Sequence, residues 1–163
     1  ALAGVPAGRV VSFSLATANA AIVATLTPLL TPVTVIPHGG LFTEKELALL
    51  LGKAPCVLVG ASAVGDFAPT EDGFFSAAVE WTATCLAVDG AKSRADAAKD
   101  MAQTVANAVL ADAGGQLWGD PAAFVEPDLT SLRLDNLYNG HVNILSVAVW
   151  AVGWRQSIVF SIP

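Results

Sequence analysis

An apolar run near the C-terminus constrains the fold most, because it is hydrophobic on both of its alternating faces. We predict a strand over residues 142–154, about twice the usual strand length, and another over residues 158–162. The first face carries Ile144, Ala148, Trp150 and Val152, and the second carries Leu145, Val147, Val149 and Ala151. One face must therefore pack on helices, and the other on a second layer or a neighbouring subunit. Gly153 is placed to mark a bulge that bends the run.

Helix-start signals precede this run at three places. Ser12 or Ser14 can cap a first helix, with Leu15, Ile22, Leu26 and Leu29 on one face and Asn19 intruding on it. The capping box that begins at Thr43 predicts a helix over residues 44–51. A weaker cap at Ser93 opens a long helix that ends at Gly114.

Short apolar runs between these helices predict strands at residues 33–36, 56–59, 80–88 and 129–134. We therefore expect an α+β fold, in which about three helices pack on a mostly antiparallel mixed sheet. The 163 residues suit a single domain over 1–163. We expect residues 1–11 to be extended or flexible.

The charge content indicates a chain that buries surface against partners. Only 13% of the residues are charged, whereas 54% are hydrophobic, which is about half the usual charge for a soluble domain. Prolines and hydroxyl side chains interrupt every apolar run before about 20 residues accumulate, so we expect no membrane segment and a cytoplasmic chain. The net charge of −6 and the scattered basic residues argue against a nucleic-acid-binding patch.

Few side chains suit catalysis or metal binding. The chain has two histidines, His38 and His141, neither of which lies in a known catalytic signature. Cys56 and Cys85 fall in apolar runs, where thiols are usually buried. Carboxylates at 71–72, 120, 126 and 128 fit a solvated loop better than an acid–base pair or a cation site. We expect no enzymatic activity, no cofactor and no metal.

Residues 61–76, which we predict to form a loop or a long hairpin tip, are the candidate partner contact. This segment combines three aromatic residues with three acids, namely Asp66, Phe67, Glu71, Asp72, Phe74 and Phe75. Apolar anchors with a polar fringe are typical of docking surfaces. The alternative is that these rings fold back over the core.

Three neighbouring motifs resemble the minor tail proteins of Mu-like phages that are encoded beside the sheath and tube proteins. They are Val35-Ile36-Pro37-His38-Gly39-Gly40, then Glu44-Lys45-Glu46-Leu47, then Lys53-Ala54-Pro55-Cys56-Val57-Leu58-Val59. In that family a strand and a turn lead to a Glu/Leu-rich helix and then to a run of the type Ala-Pro-Ala-Val-Leu-Val. The likeness continues less specifically over most of the chain after about Leu15.

The resemblance implies a tail terminator, with a tail-terminator-like α/β fold. Such proteins form a hexameric ring on the head-proximal end of the tail tube, stop its growth and provide the surface for the head–tail connector. The implied partners are further copies of the chain, the tube and possibly sheath proteins, and the connector. DNA would pass through the ring without specific binding. The implied location is the virion, after assembly in the host cytoplasm, and the family carries over no catalytic residues.

Two other interpretations stay open on the sequence. One is a different virion component, such as a head–tail connector or a tube subunit, which copy number per particle would distinguish. The other is a small ligand-binding or enzymatic α+β domain, which a saturable thermal shift with a small molecule would indicate.

Overall fold

The computed structural model describes residues 13–39, 44–137 and 147–162, and within them the chain forms an α+β fold with one five-stranded mixed sheet. The strands are β1 (Thr34–Pro37), β2 (Cys56–Pro69), β3 (Phe75–Ala87), β4 (Asp128–Asn136) and β5 (Ala148–Phe160). The helices are α1 (Leu15–Leu30), α2 (Glu44–Leu51) and α3 (Arg94–Ala113), and a short 3-10 helix covers Leu117–Gly119.

The strands lie in the order β1-β2-β3-β5-β4. β1 pairs with β2 in parallel, because α2 provides the crossover between them. The remaining pairs are antiparallel. β3 and β5 are in register without interruption from the Phe75–Phe160 pair to the Ala87–Ala148 pair, so these two strands form the centre of the sheet.

Helices α1 and α3 pack on one face of the sheet, which we call the helix face. Ser14 caps α1 by accepting a hydrogen bond from the Thr17 amide, at 3.1 Å. Ser93 does the same for α3 through the Asp96 amide, at 3.3 Å. The buried stripe of α3 consists of small and medium side chains, which lets the helix lie close to the sheet: Ala98, Met101, Ala102, Val105, Ala108 and Val109.

The opposite face of the sheet is covered at one end. There Cys56, Leu58 and Leu86 form a second, smaller core with Val147 and Val149. Leu50, from the last turn of α2, and Ala54 pack against it. Two helices thus lie on the helix face, while α2 contributes to the other face.

A buried amide organises the polar part of the main core. Gln156 on β5 is 1% exposed and accepts hydrogen bonds from the indole N–H groups of Trp118 and Trp154, at 2.8 and 3.1 Å. Its amide nitrogen donates to Asp112 Oδ2 at 2.9 Å and to the Val125 carbonyl at 2.8 Å. All four partners fix the orientation of this amide.

The structure corrects the prediction for β5. The predicted break between residues 154 and 158 is wrong, because β5 is one strand in which Gln156 is hydrogen-bonded inside the core. The predicted bulge at Gly153 is also wrong. The irregularity lies on the neighbouring strand, between Asp128 and Arg133, and the Arg133 side chain lies over Gly153.

Two further predictions concern the helices. Leu29 was expected in the core but is 54% exposed, because the buried positions of α1 follow the spacing Ala18, Ile22, Leu26 and Leu30. The predicted bounds of α2 and α3 are confirmed. The predictions for residues 1–11 and for the strand portion 142–146 lie outside the described residues.

Candidate interaction surface

The candidate contact segment is the end of a long hairpin, and not a loop of 16 residues. β2 continues to Pro69 and β3 begins at Phe75, so the turn covers residues 70–74. Thr70 organises this turn, since its hydroxyl accepts from the Phe74 amide at 3.1 Å and its own amide donates to the Phe74 carbonyl at 2.8 Å. Gly73 takes a positive φ of 80°, which favours glycine.

A bulge in β2 sends two consecutive side chains to opposite faces of the sheet. The register shifts between Gly65 and Ala68, which leaves Asp66 and Phe67 as extra residues. Asp66 has a positive φ of 53° and forms an ion pair with Arg155. Arg155 lies on the face opposite the helices, as does Glu80, whose carboxylate is 3.9 Å from the Arg155 Nε.

Phe67 instead joins an aromatic cluster on the helix face. Phe160 is the centre of this cluster, with ring centroids 4.9 Å from Phe13, 6.3 Å from Phe67 and 6.2 Å from Phe75. The Phe13 and Phe67 rings are 5.9 Å apart. Phe160 is 7% exposed, whereas Phe67 is 61% exposed and Phe13 is 42% exposed. The cluster is therefore anchored in the core on one side and accessible to solvent on the other.

Two acids of the segment lie in the hairpin turn, next in sequence to the strands of the cluster. Glu71 and Asp72 are exposed in the turn that joins the two strands carrying Phe67 and Phe75. We call the four phenylalanines of the cluster together with Glu71 and Asp72 the tip surface.

The six predicted contact residues therefore separate into groups. Phe67 and Phe75 both contact Phe160 in the cluster, and Glu71 and Asp72 are exposed in the turn between their two strands. Phe74 is half-buried beside them, while Asp66 points to the other face and pairs with Arg155. Phe75 packs against the core, as the second alternative expects, whereas Phe67 remains exposed.

Phe13 and Phe160 belong to the cluster but were missed from the sequence. They lie 147 positions apart in the chain, and local patterning gives no sign that they meet. Phe160 is the last residue of β5, in the middle of the strand predicted over residues 158–162, and Phe13 immediately precedes the Ser14 cap of α1. The one local signal in the sequence was that Phe13 is an aromatic residue next to a helix cap, which indicates that its ring could pack beside the start of α1.

A second accessible area lies on the face opposite the helices, beyond the small core that α2 helps to cover. We call it the open face. The central residues of the open face are small and half-exposed or exposed, and they lie around Arg155 and its ion pairs. They are Ala63, Gly65, Ala78, Thr82, Gly153 and Ser157. A groove of about 500 Å³ borders it, lined by Ser62, Glu80, Thr82 and the 130–133 stretch of β4. Side chains this small permit close approach of another surface.

The two cysteines are buried thiols, as predicted. Cys56 and Cys85 are both fully buried and form no disulfide. Burial raises the pKa of the Cys85 thiol to about 12, and the neighbouring Cys56 adds to the shift. Because a nucleophilic cysteine needs a lowered pKa and access, these thiols are chemically inert in the folded chain.

Comparison of the chain with protein-family models and with curated proteins gives no match. Within the described ranges, no group of three or more histidine, cysteine or carboxylate side chains could hold a metal ion. No helix in the described part of the chain has the length and apolar character needed to cross a bilayer.

Proposed function

We propose that this protein is the subunit of a phage tail terminator, a ring that caps the head-proximal end of the tail tube and joins it to the head–tail connector. The observation that carries the proposal is that one subunit exposes two different accessible surfaces, the tip surface and the open face. A closed ring with axial partners requires different surfaces on each subunit, because ring contacts are heterologous.

The segment that carries the family resemblance supports this proposal. In the described part of its three motifs, β1, α2 and β2 follow one another along the chain, and the two strands pair in parallel. This is the order of strand, helix and strand that the resemblance implies. We therefore propose a tail-terminator-like fold, location in the virion, and a hexameric ring with the tube and the connector as its axial partners.

The proposal assigns one side of the heterologous ring contact to the open face. Its small side chains let a neighbouring copy approach closely, and its charges are already paired within the subunit, as Arg155 is with Asp66 and Glu80. Burying paired charges costs less than burying isolated ones. The chain also carries few charges overall, which suits a subunit with much surface in contacts.

The test is a variant that blocks the open face. Lysines introduced by Ala78→Lys and Ser157→Lys are paired neighbours in the sheet and would place two like charges in the contact. We expect this variant to remain a folded monomer and to leave tail tubes uncapped in an in vitro assembly reaction. The matched control is Gln103→Lys with Asn107→Lys, two exposed positions on α3 with the same change in net charge. Rings in both variants would overturn the assignment.

A further inference from the structure

We infer that the tip surface binds a basic protein surface that presents an apolar pocket, with Phe67 as the side chain that enters the pocket. The inference rests on one part of the proposed function, namely that copies of the chain contact one another through the open face and not through the tip surface. It adds the chemistry of the partner and the residue that anchors it.

The first argument is the uneven distribution of charge along the sheet. Five acids lie at the end of the sheet where the hairpin turns: Asp66, Glu71, Asp72, Asp120 and Glu126. Asp120 lines a small pocket together with Ile158 and Phe160, and the Phe124–Ile158 bridge holds the segment that carries Glu126 at this end. Arg155 is the basic side chain that the described part of the chain places near them, and it is already paired with Asp66.

The opposite end of the sheet is close to neutral, because its charges alternate and pair. Lys92 pairs with Asp100, Lys99 pairs with Asp96 at 3.3 Å, and Arg94 pairs with Asp89 at 3.2 Å. These residues follow β3 or begin α3. The five acids and Arg155 together contribute −4 of the net charge of −6, so most of the net charge lies at the end of the sheet that carries the tip surface.

The second argument is the exposure of the aromatic cluster in the middle of this acidic region. Phe67 is 61% exposed although two other phenylalanine rings, Phe13 and Phe160, contact it. A rigid, partly exposed aromatic side chain is the usual anchor of a protein contact, and polar residues around it exclude water. The bulge at Asp66 is what turns Phe67 toward the cluster.

A second copy of the chain is a poor occupant for this surface. Two tip surfaces facing each other would bring acids against acids. Of the basic side chains in the described part of the chain, Lys92, Arg94, Lys99, Arg133 and Arg155 are ion-paired within their own subunit. The other two, Lys45 and Lys53, lie separately in α2 and just after it. Charge complementarity therefore favours a different protein with unpaired lysines or arginines around a pocket.

The test uses a fluorescein-labelled peptide of alternating arginine and leucine, with a glutamate–leucine peptide as the reverse-charge probe. Binding to the full chain is followed by fluorescence anisotropy. We expect the arginine peptide to bind and the glutamate peptide not to bind. Raising the salt from about 50 mM to about 300 mM should weaken binding, because it shortens the Debye length.

Two sets of variants locate the binding. Phe67→Ser should raise the Kd at least tenfold, and Glu71→Gln with Asp72→Asn should raise it severalfold. The controls are Leu49→Ser, an exposed leucine at 70% on α2, and Gln103→Lys with Asn107→Lys, which changes the net charge by the same amount as the acid variant. Both controls should leave the Kd within twofold. Equal binding by all variants, or equal binding of both peptides, would overturn the inference.

Light scattering on the same variants separates this inference from the proposed function. If Phe67→Ser lowers the oligomer mass, the tip surface is a contact between copies and the inference is wrong. If the mass is unchanged and only peptide binding is lost, the inference stands whether or not the open face forms a ring.

Discussion

Gln156 gives the sharpest prediction of the account, because its amide holds four buried groups together. Replacement by methionine keeps the length of the side chain and removes all four hydrogen bonds of the side-chain amide. The indole N–H groups of Trp118 and Trp154, the Val125 carbonyl and Asp112 Oδ2 would each lose this partner. Trp118 and Trp154 are 3% and 1% exposed, so water cannot readily replace the amide.

The magnitude follows from the cost of leaving a buried polar group without a partner, about 1–3 kcal/mol for each group. Taking the low end for four groups gives a loss of about 4 kcal/mol. A domain of this kind has a total free energy of unfolding of about 5–15 kcal/mol. Gln156→Met should therefore remove between a quarter and most of the stability.

The assay is equilibrium unfolding in urea, with the free energy of unfolding taken from the midpoint and slope. The matched control is Gln103→Met on the exposed side of α3, which should change the free energy by about 0.5 kcal/mol or less. A loss below about 1 kcal/mol for Gln156→Met, with an unchanged slope, would refute the reasoning.

Three further predictions address the core and the helix caps. Burial raises the pKa of Asp112 above its ordinary value of 3.8, although hydrogen bonds from Gln156 and the Trp118 amide oppose the shift. The contribution of Asp112 to stability should therefore be fully present below its unfolded pKa and be lost as pH rises through its folded pKa. Asp112→Asn should flatten this dependence in urea titrations over that window, and an unchanged slope of stability against pH would contradict the assignment. In the folded protein at pH 8, Cys56 and Cys85 should react with a thiol reagent at least a hundredfold more slowly than an exposed cysteine introduced by Ser62→Cys, because they become accessible only on unfolding. Rapid labelling of the native state would show that the core opens locally. Ser93→Ala should lower the free energy of unfolding by about 1 kcal/mol through loss of the α3 cap, whereas an exposed serine away from a cap should be neutral, and equal losses would argue against capping.

The sequence predicted helix bounds well where caps and glycines mark them. α3 runs from Arg94 to Ala113 because Ser93 caps its start and a pair of glycines follows its end. α2 likewise covers the residues that its capping box indicates. These signals are local, so they can be read without knowing what the helix packs against.

The hairpin was harder to predict because its strands carry little local signal. Residues 60–66 of β2 are mainly glycine, alanine and serine, and the bulge at Asp66 interrupts the alternation. β5 was divided in the prediction because polar residues 155–157 interrupt its apolar pattern. The strand continues through these residues because of tertiary contacts: Gln156 accepts hydrogen bonds from two tryptophans, and Arg155 pairs with Asp66.

The candidate site was predicted in composition but not in arrangement. Phe67, Glu71 and Asp72 are exposed at one end of the hairpin, as a partner contact requires. The separation of Asp66 from Phe67 depends on backbone geometry at the bulge. The support that Phe13 and Phe160 give to Phe67 depends on how α1 docks on the sheet, which only long-range packing determines.

The central proposal, a ring subunit, is tested most directly by the mass of the purified protein in solution, measured by light scattering with negative-stain images of the same fraction. The account predicts rings of about six subunits, with a mass near six times that of the 16.6 kDa chain. A monomeric mass at every concentration, with no rings on added tail tubes, would contradict it.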